Sequence, residues 1–252
     1  MEFRIADTFT DSLVKLTGDE QKSVKTTAFD LQLNPAHPSM SLHKIEQSKD
    51  RNFWSVRVSS DIRLIVHKTA TSFLLCYVDH HDKAYKWAER RKLEVHPKTG
   101  AAQWVEIRER VEEVVVRTGE VARAPDGVKA KAPKPVGVPK AKSLLFDGRT
   151  DDDLLSYGVP PEWLADVRKV DEDSLLVLAD HLPAEAAEAL LELATGGVPK
   201  PVAAIQPGAD PFSHPDAQRR FRVMKDVEEL ERALDFPWEK WTVFLHPAQR
   251  QL

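Results

Sequence analysis

A chain of 252 residues exceeds one typical domain and suggests two or more, and its 42% hydrophobic content can support packed cores. The formal charge is −4, so the protein is not basic overall, while 30% charged residues and 17 prolines imply linkers. A single cysteine excludes an internal disulfide framework, no apolar run reaches the length of a membrane span, and MEFRIADTF lacks a secretory pattern, so a reducing cytoplasm and no membrane partner are expected.

Phe3-Arg4-Ile5 reads as a short first strand. Asp7 or Thr8 can cap a helix with the apolar stripe Phe9, Leu13 and Leu16, ended by Gly18. A second helix starts near Asp19, carries Val24, Ala28 and Leu31, and stops at Asn34-Pro35. Leu42 to Glu46 enters a sheet.

Phe53 to Tyr85 is the most informative stretch and reads as three consecutive antiparallel strands. Trp54, Val56 and Val58 alternate with Phe53, Ser55 and Arg57; Ile62, Leu64 and Val66 alternate with Arg63, Ile65 and His67. Strict alternation predicts one buried face and one wet face. Keeping the apolar face continuous through the hairpin pairs position 58 with 62, which sets Arg57 directly opposite Arg63. Like charges across a strand pair repel, so the pair points to a bound anion, phosphate above all. His67 belongs to the same face and is a candidate proton carrier. Cys76, inside FLLCYV, reads as a buried, inert thiol.

Asp79 to Leu93 is expected to leave the last strand as a helix with Tyr85 and Trp87. Pro97-Lys98-Thr99-Gly100 breaks it. A helical extension over 96–121, with Trp104, Ile107, Val111, Val114 and Val115 at helical spacing, is expected to pack on the preceding domain. Residues 122–142 hold four prolines, two glycines and six Lys/Arg against one Asp, and read as a basic linker. Residues 143–196 turn acidic and helical, in two related units, DDDLLSYGVPPEWLADV and DEDSLLVLADHLPAEAAEALLEL, each opening on an acidic cap and restarting at a proline. They predict two helical hairpins. A Pro/Gly linker over 197–211 leads to 212–252, where Phe221–Met224 and Trp241–Leu245 look like strands and Asp226 caps a helix.

The order helix, helix, strand, hairpin, strand, with FWSVRV and IRLIVH followed by HHDKAY, resembles the RelE/ParE toxin superfamily, nearest the RelE and YoeB type of ribosome-dependent messenger-RNA endonuclease. The resemblance spans residues 1–95. It implies an α+β domain: a twisted antiparallel sheet backed by two N-terminal helices, presenting basic, His and Tyr side chains to RNA. By motif, Arg57 and Arg63 match the two strand arginines, His81 and Tyr85 the positions after the last strand, and Lys44 and Lys49 further basic positions. Where YoeB-like members carry a general-base glutamate, this sequence offers only Lys44-Ile45-Glu46, which implies little nuclease activity.

PWEKWTVFLHPAQRQL is similar to the segment before the first ATPase motif of UvrD-like superfamily I helicases, and Gln249 matches the Q-motif glutamine that reads adenine. The similarity implies that the chain is a piece of a longer protein lying upstream of a Walker A loop, with ATP and Mg belonging to the motor beyond it. This chain has no Gly-x-x-x-x-Gly-Lys-Ser/Thr, no Gly-x-Ser-x-Gly and no His-Glu-x-x-His. Asp79-His80-His81-Asp82 has no sensibly spaced third or fourth ligand, so no metal is expected. Three functions follow as expectations: an accessory helicase region that binds DNA, RNA or a partner; a RelE-type endonuclease acting with the ribosome; or a ParE-like, non-catalytic domain gripping a protein.

Overall fold

The computed structural model describes residues 1–35, 37, 40–108, 144–201, 203–206, 208–235 and 244. They fall into two compact units, one drawn from Met1–Trp104 and Val202–Leu252, the other from Val105–Pro201. The fold is α+β. Its strands are β1 Glu2–Ala6, β2 Leu42–Lys44, β3 Phe53–Arg57, β4 Ile62–Lys68, β5 Ser72–His80, β6 Arg91–Val95, β7 Ala102–Glu106 and β8 Phe221–Val223. The α-helices are α1 Asp7–Leu13, α2 Gly18–Leu33, α3 His81–Glu89, α4 Asp151–Ser156, α5 Leu164–Val167, α6 Leu175–Ala179, α7 Ala184–Ala194, α8 Pro215–Gln218 and α9 Val227–Asp235.

In the first unit a six-stranded sheet runs in the order β2-β3-β4-β5-β1-β8. The alternation of Phe53 to Lys68 gives the expected register: Phe53 pairs with His67, Val56 with Leu64 and Arg57 with Arg63, and Val58 N–H closes the hairpin on Ile62 O. β5 continues antiparallel to β4. The sheet is mixed, however, rather than antiparallel: β1 runs parallel to β5, with Phe3 beside Phe73. Parallel neighbours need a long crossover, and here α1, α2 and three strands supply it. β8 then adds antiparallel to β1, so the strand-like Phe221 stretch completes this sheet.

Helices α1, α2 and α9 cover one face, where Phe9, Leu13, Val24, Leu31, Leu230 and Leu234 meet Val56, Leu64, Val66, Phe73 and Leu75. Thr17 and Glu20 form a capping box that starts α2, with Thr17 N–H donating to Glu20 Oε2 at 2.9 Å.

The opposite face, expected to be wet, is a second core. Phe53, Ile65, Leu74 and Cys76 lie under Ala84 and Trp87 of α3, Trp104 of β7 and Phe221 of β8. The ring centroids of Phe53 and Trp104 are 6.0 Å apart, and those of Trp87 and Trp104 5.4 Å. Period two reports that two faces differ; it does not report what distant segments bring to the second. The thiol of Cys76 is buried there as expected, and burial pushes its pKa well above the ordinary range.

α3 is shorter than the expected Asp79–Leu93 helix, and the helix expected over Trp104 is a strand. β6 and β7 form a two-stranded sheet around the Pro97–Gly100 turn. His96 Nδ1 accepts from the N–H groups of Lys98 and Thr99, and Gly100 takes φ +76° with a Cβ position only 2.6 Å from Ile205 Cγ1, so only glycine fits. Packing of Trp104 on Phe53 and Trp87 outweighs its helical spacing. The rest of the expected extension (109–121), the basic linker (122–142) and Trp241–Leu245 except Phe244 lie outside the described residues.

In the second unit Val105, Phe146, Leu154, Val159, Trp163, Val167, Leu175, Leu178 and Leu190 form a core of their own. The acidic caps act locally: Thr150 N–H donates to Asp153 Oδ2 at 3.0 Å, and Asp153 N–H returns to Thr150 Oγ1 at 3.1 Å. Trp163 Nε1 donates to Glu106 O at 3.0 Å, and Arg108 forks onto both oxygens of Asp166 at 2.6 and 3.1 Å.

Candidate nucleic-acid interface

The β3–β4 hairpin sets the two arginines side by side, but their surroundings differ. Arg63 is 7% exposed, and its guanidinium donates to Ser59 O and Ile62 O, both at 3.0 Å, and to Ser60 O at 3.4 Å. It ties the turn of its own hairpin. Arg57 is exposed and makes no hydrogen bond or ion pair with the described residues. Asp61, in the same turn, turns to His80 at the end of β5, with Nδ1 and Oδ2 2.6 Å apart. That hydrogen bond holds the Asp61 carboxyl below its ordinary range and raises the His80 imidazole above its own.

Beside the hairpin, the segment from β2 and the first two turns of α3 line a groove of about 640 Å³ that includes Lys44, Glu46, His81, Tyr85, Lys86 and Glu89. His81 and Tyr85 are four residues apart on one helix and so share a face; their ring centroids lie 4.6 Å apart. Tyr85 Oη is 2.9 Å from Ser55 Oγ, which anchors the ring to β3 two residues before Arg57 on the same sheet face. His81 Nδ1 is 3.0 Å from Asp82 Oδ1. The groove therefore combines ammonium groups for phosphate, rings for stacking, and an imidazole and carboxylates able to move protons.

The chain matches no protein-family model and no curated protein.

Of the sequence-predicted site residues, Lys44, His81 and Tyr85 meet in the groove, and Arg57 continues the sheet face beyond Ser55. Lys49 is exposed in the loop before β3 but does not line the groove. His67 is 7% exposed inside the second core, with Nε2 3.4 Å from Asp50 Oδ2 and its ring edge-on to Phe53 at 5.7 Å. It serves packing rather than an open face. Burial raises the Asp50 carboxyl, but the His67 contact and the N–H groups of Leu93 and Asn52 outweigh that and hold it below its ordinary value. Gln249 lies outside the described residues. His80 and His81, the pair weighed as metal ligands, engage different carboxylates.

Sequence reasoning passed over Lys86 and gave Glu46 little weight, although both line the groove. It also missed His43, which pairs with Ser55 and so shares its sheet face. Carrying the alternation back one strand, from Val56 to Leu42, would have found His43; the helical spacing of Asp82 and Lys86 would have found Lys86.

Proposed function

We propose that the first unit contacts nucleic acid through the Arg57 end of the β3–β4 hairpin and the adjoining groove. It would do so as a RelE-like accessory region of an ATP-dependent, UvrD-like DNA helicase, with little or no nuclease activity of its own. The carrying observation is Arg57: an exposed guanidinium with no acidic partner among the described residues, held opposite a second arginine and on the same sheet face as Ser55, whose hydroxyl meets Tyr85 of the groove. Such an arrangement is relieved by an anion. Glu46, Asp82 and Glu89 along the same groove keep the field local, which favours a short contact over a broad electrostatic track. ATP and Mg would belong to the motor, with Gln249 beside the adenine. The test is fluorescence anisotropy of the whole chain with single-stranded RNA, single-stranded DNA and duplex DNA across a salt series. Binding that weakens with salt, and a smaller salt slope in Arg57→Ala, are expected; an unchanged slope overturns the assignment.

A second reading, a RelE-type endonuclease, is favoured by the presence of Glu46 and His81 in one groove. Messenger-RNA cleavage in the presence of ribosomes that is lost in His81→Ala would promote it over the first.

A further inference from the structure

Leu175-Leu176-Val177-Leu178 places four aliphatic residues in a row on α6, and a helix that is apolar all round is normally covered all round. Leu175 and Leu178 enter the second unit's core, at 6% and 9% exposure, whereas Leu176 and Val177 remain 67% and 64% exposed. The helical turn continues on both sides: Leu175 N–H bonds to Asp171 O and Asp180 N–H to Leu176 O. Glu172 and Asp180 therefore stand one turn before and one turn after Leu176 on its own face, about 12 Å apart along the axis. Both carboxylates are exposed and engage no partner among the described residues. An uncovered aliphatic pair is thus bracketed by two uncompensated negative charges.

The surroundings decide what can cover it. Residues 144–201 hold thirteen Asp/Glu against Arg149, Arg168, Lys169 and Lys200. Nucleic acid and anionic membrane surfaces are repelled by such a unit. We propose that this face of α6 docks a basic amphipathic segment of a protein partner. Its Lys or Arg side chains meet Glu172 and Asp180, and its aliphatic side chains cover Leu176 and Val177. The charges set orientation and encounter rate; the aliphatic contact supplies the affinity. This surface lies on the second unit and stands or falls independently of nucleic-acid binding by the first.

The test uses the whole chain with two fluorescent peptides, an amphipathic lysine/leucine helix and its glutamate/leucine counterpart. The lysine peptide binds, less tightly at high salt, and the glutamate peptide does not. Leu176→Ser with Val177→Ser weakens binding by about tenfold or more, equivalent to at least about 1.4 kcal/mol, with an unchanged circular dichroism spectrum because both side chains are already in water. Glu172→Lys with Asp180→Lys reverses the preference between the peptides. Two results overturn the proposal. The serine variant binding the lysine peptide as the parent does would assign the attraction to bulk acidity alone. Self-association of the parent in sedimentation, lost in the serine variant, would make the occupant a second copy of this chain.

Discussion

Arg57 and Arg63 are direct cross-strand partners, yet one is held by backbone carbonyls and the other is open to solvent. The repulsion between them is muted because the Arg63 charge is spread over three carbonyl oxygens and faces Asp79 on β5. The two arginines should therefore separate by mutation. Arg57→Ala should leave stability within about 0.5 kcal/mol, as for most exposed sites, and lower the salt slope of nucleic-acid binding by about one. Arg63→Ala should cost about 2 kcal/mol, because charged hydrogen bonds to the turn are lost. Urea unfolding of both variants checks this, and equal costs would contradict the division of labour.

Asp50 and His67 link the loop before β3 to β4 from inside the second core, and Asp50 also receives the Leu93 and Asn52 N–H groups. Asp50→Ala takes the acceptor from His67 and from the part-buried Leu93 N–H and should cost about 2 kcal/mol. Its folded pKa lies below the ordinary 3.8, so this contribution is present above pH 3.8 and fades as pH falls through the lower, folded value. Denaturant midpoints on an acid series should show the parent losing its advantage over Asp50→Ala in that window.

The hairpin register was legible because a period of two and a tight turn leave one solution once Trp54, Val56 and Val58 must share a face with Ile62, Leu64 and Val66. The same alternation misread the other face. Ser55, Arg63 and His67 look like water-facing residues, as Arg57 is, but their polarity is met by specific partners: Tyr85 for Ser55, the turn carbonyls for Arg63 and Asp50 for His67. The coverings, Trp87 and Trp104, arrive from segments far along the chain, and no local pattern announces them. The spacing of Trp104 to Ile107 fits a helix; the β6–β7 pairing that wins is set by His96 and Gly100 in the turn. The groove was half legible, through the i, i+4 pair His81 and Tyr85, while Glu46 and Lys86 matter only once β2 is set beside α3.

His80 and Asp61 should titrate as a pair. The His80 pKa is raised by the Asp61 hydrogen bond, so the contribution of the imidazole is complete below its ordinary 6.5 and disappears as pH rises through the higher, folded value. The Asp61 pKa is lowered, so its contribution disappears as pH falls below 3.8 through the folded value. Both side chains are largely in water, and the effect on overall stability should be small. The sensitive readout is the His80 ring proton in NMR. Asp61→Asn should return its midpoint toward 6.5, and an unchanged midpoint would place the cause elsewhere.

Tyr77 should ionise late. Its ring stacks on Trp87 with centroids 4.9 Å apart, and its hydroxyl donates to Asp79 Oδ2 at 3.1 Å. Burial, then the Asp79 charge and the hydrogen bond to it, push its pKa from 10.0 to about 12. The folded protein therefore keeps this proton longer than the unfolded chain does. Stability associated with Tyr77 is complete below pH 10 and declines as pH rises from there toward 12. Alkaline absorbance titration of the parent against Tyr77→Phe should show that the phenol removed by the substitution ionises near 12. Asp79→Asn removes the repelling charge and leaves the burial, so that phenol should ionise earlier but still above 10.0. If the phenol missing from Tyr77→Phe instead ionised near 10.0, the stacked, half-buried environment assigned to it on Trp87 would be wrong.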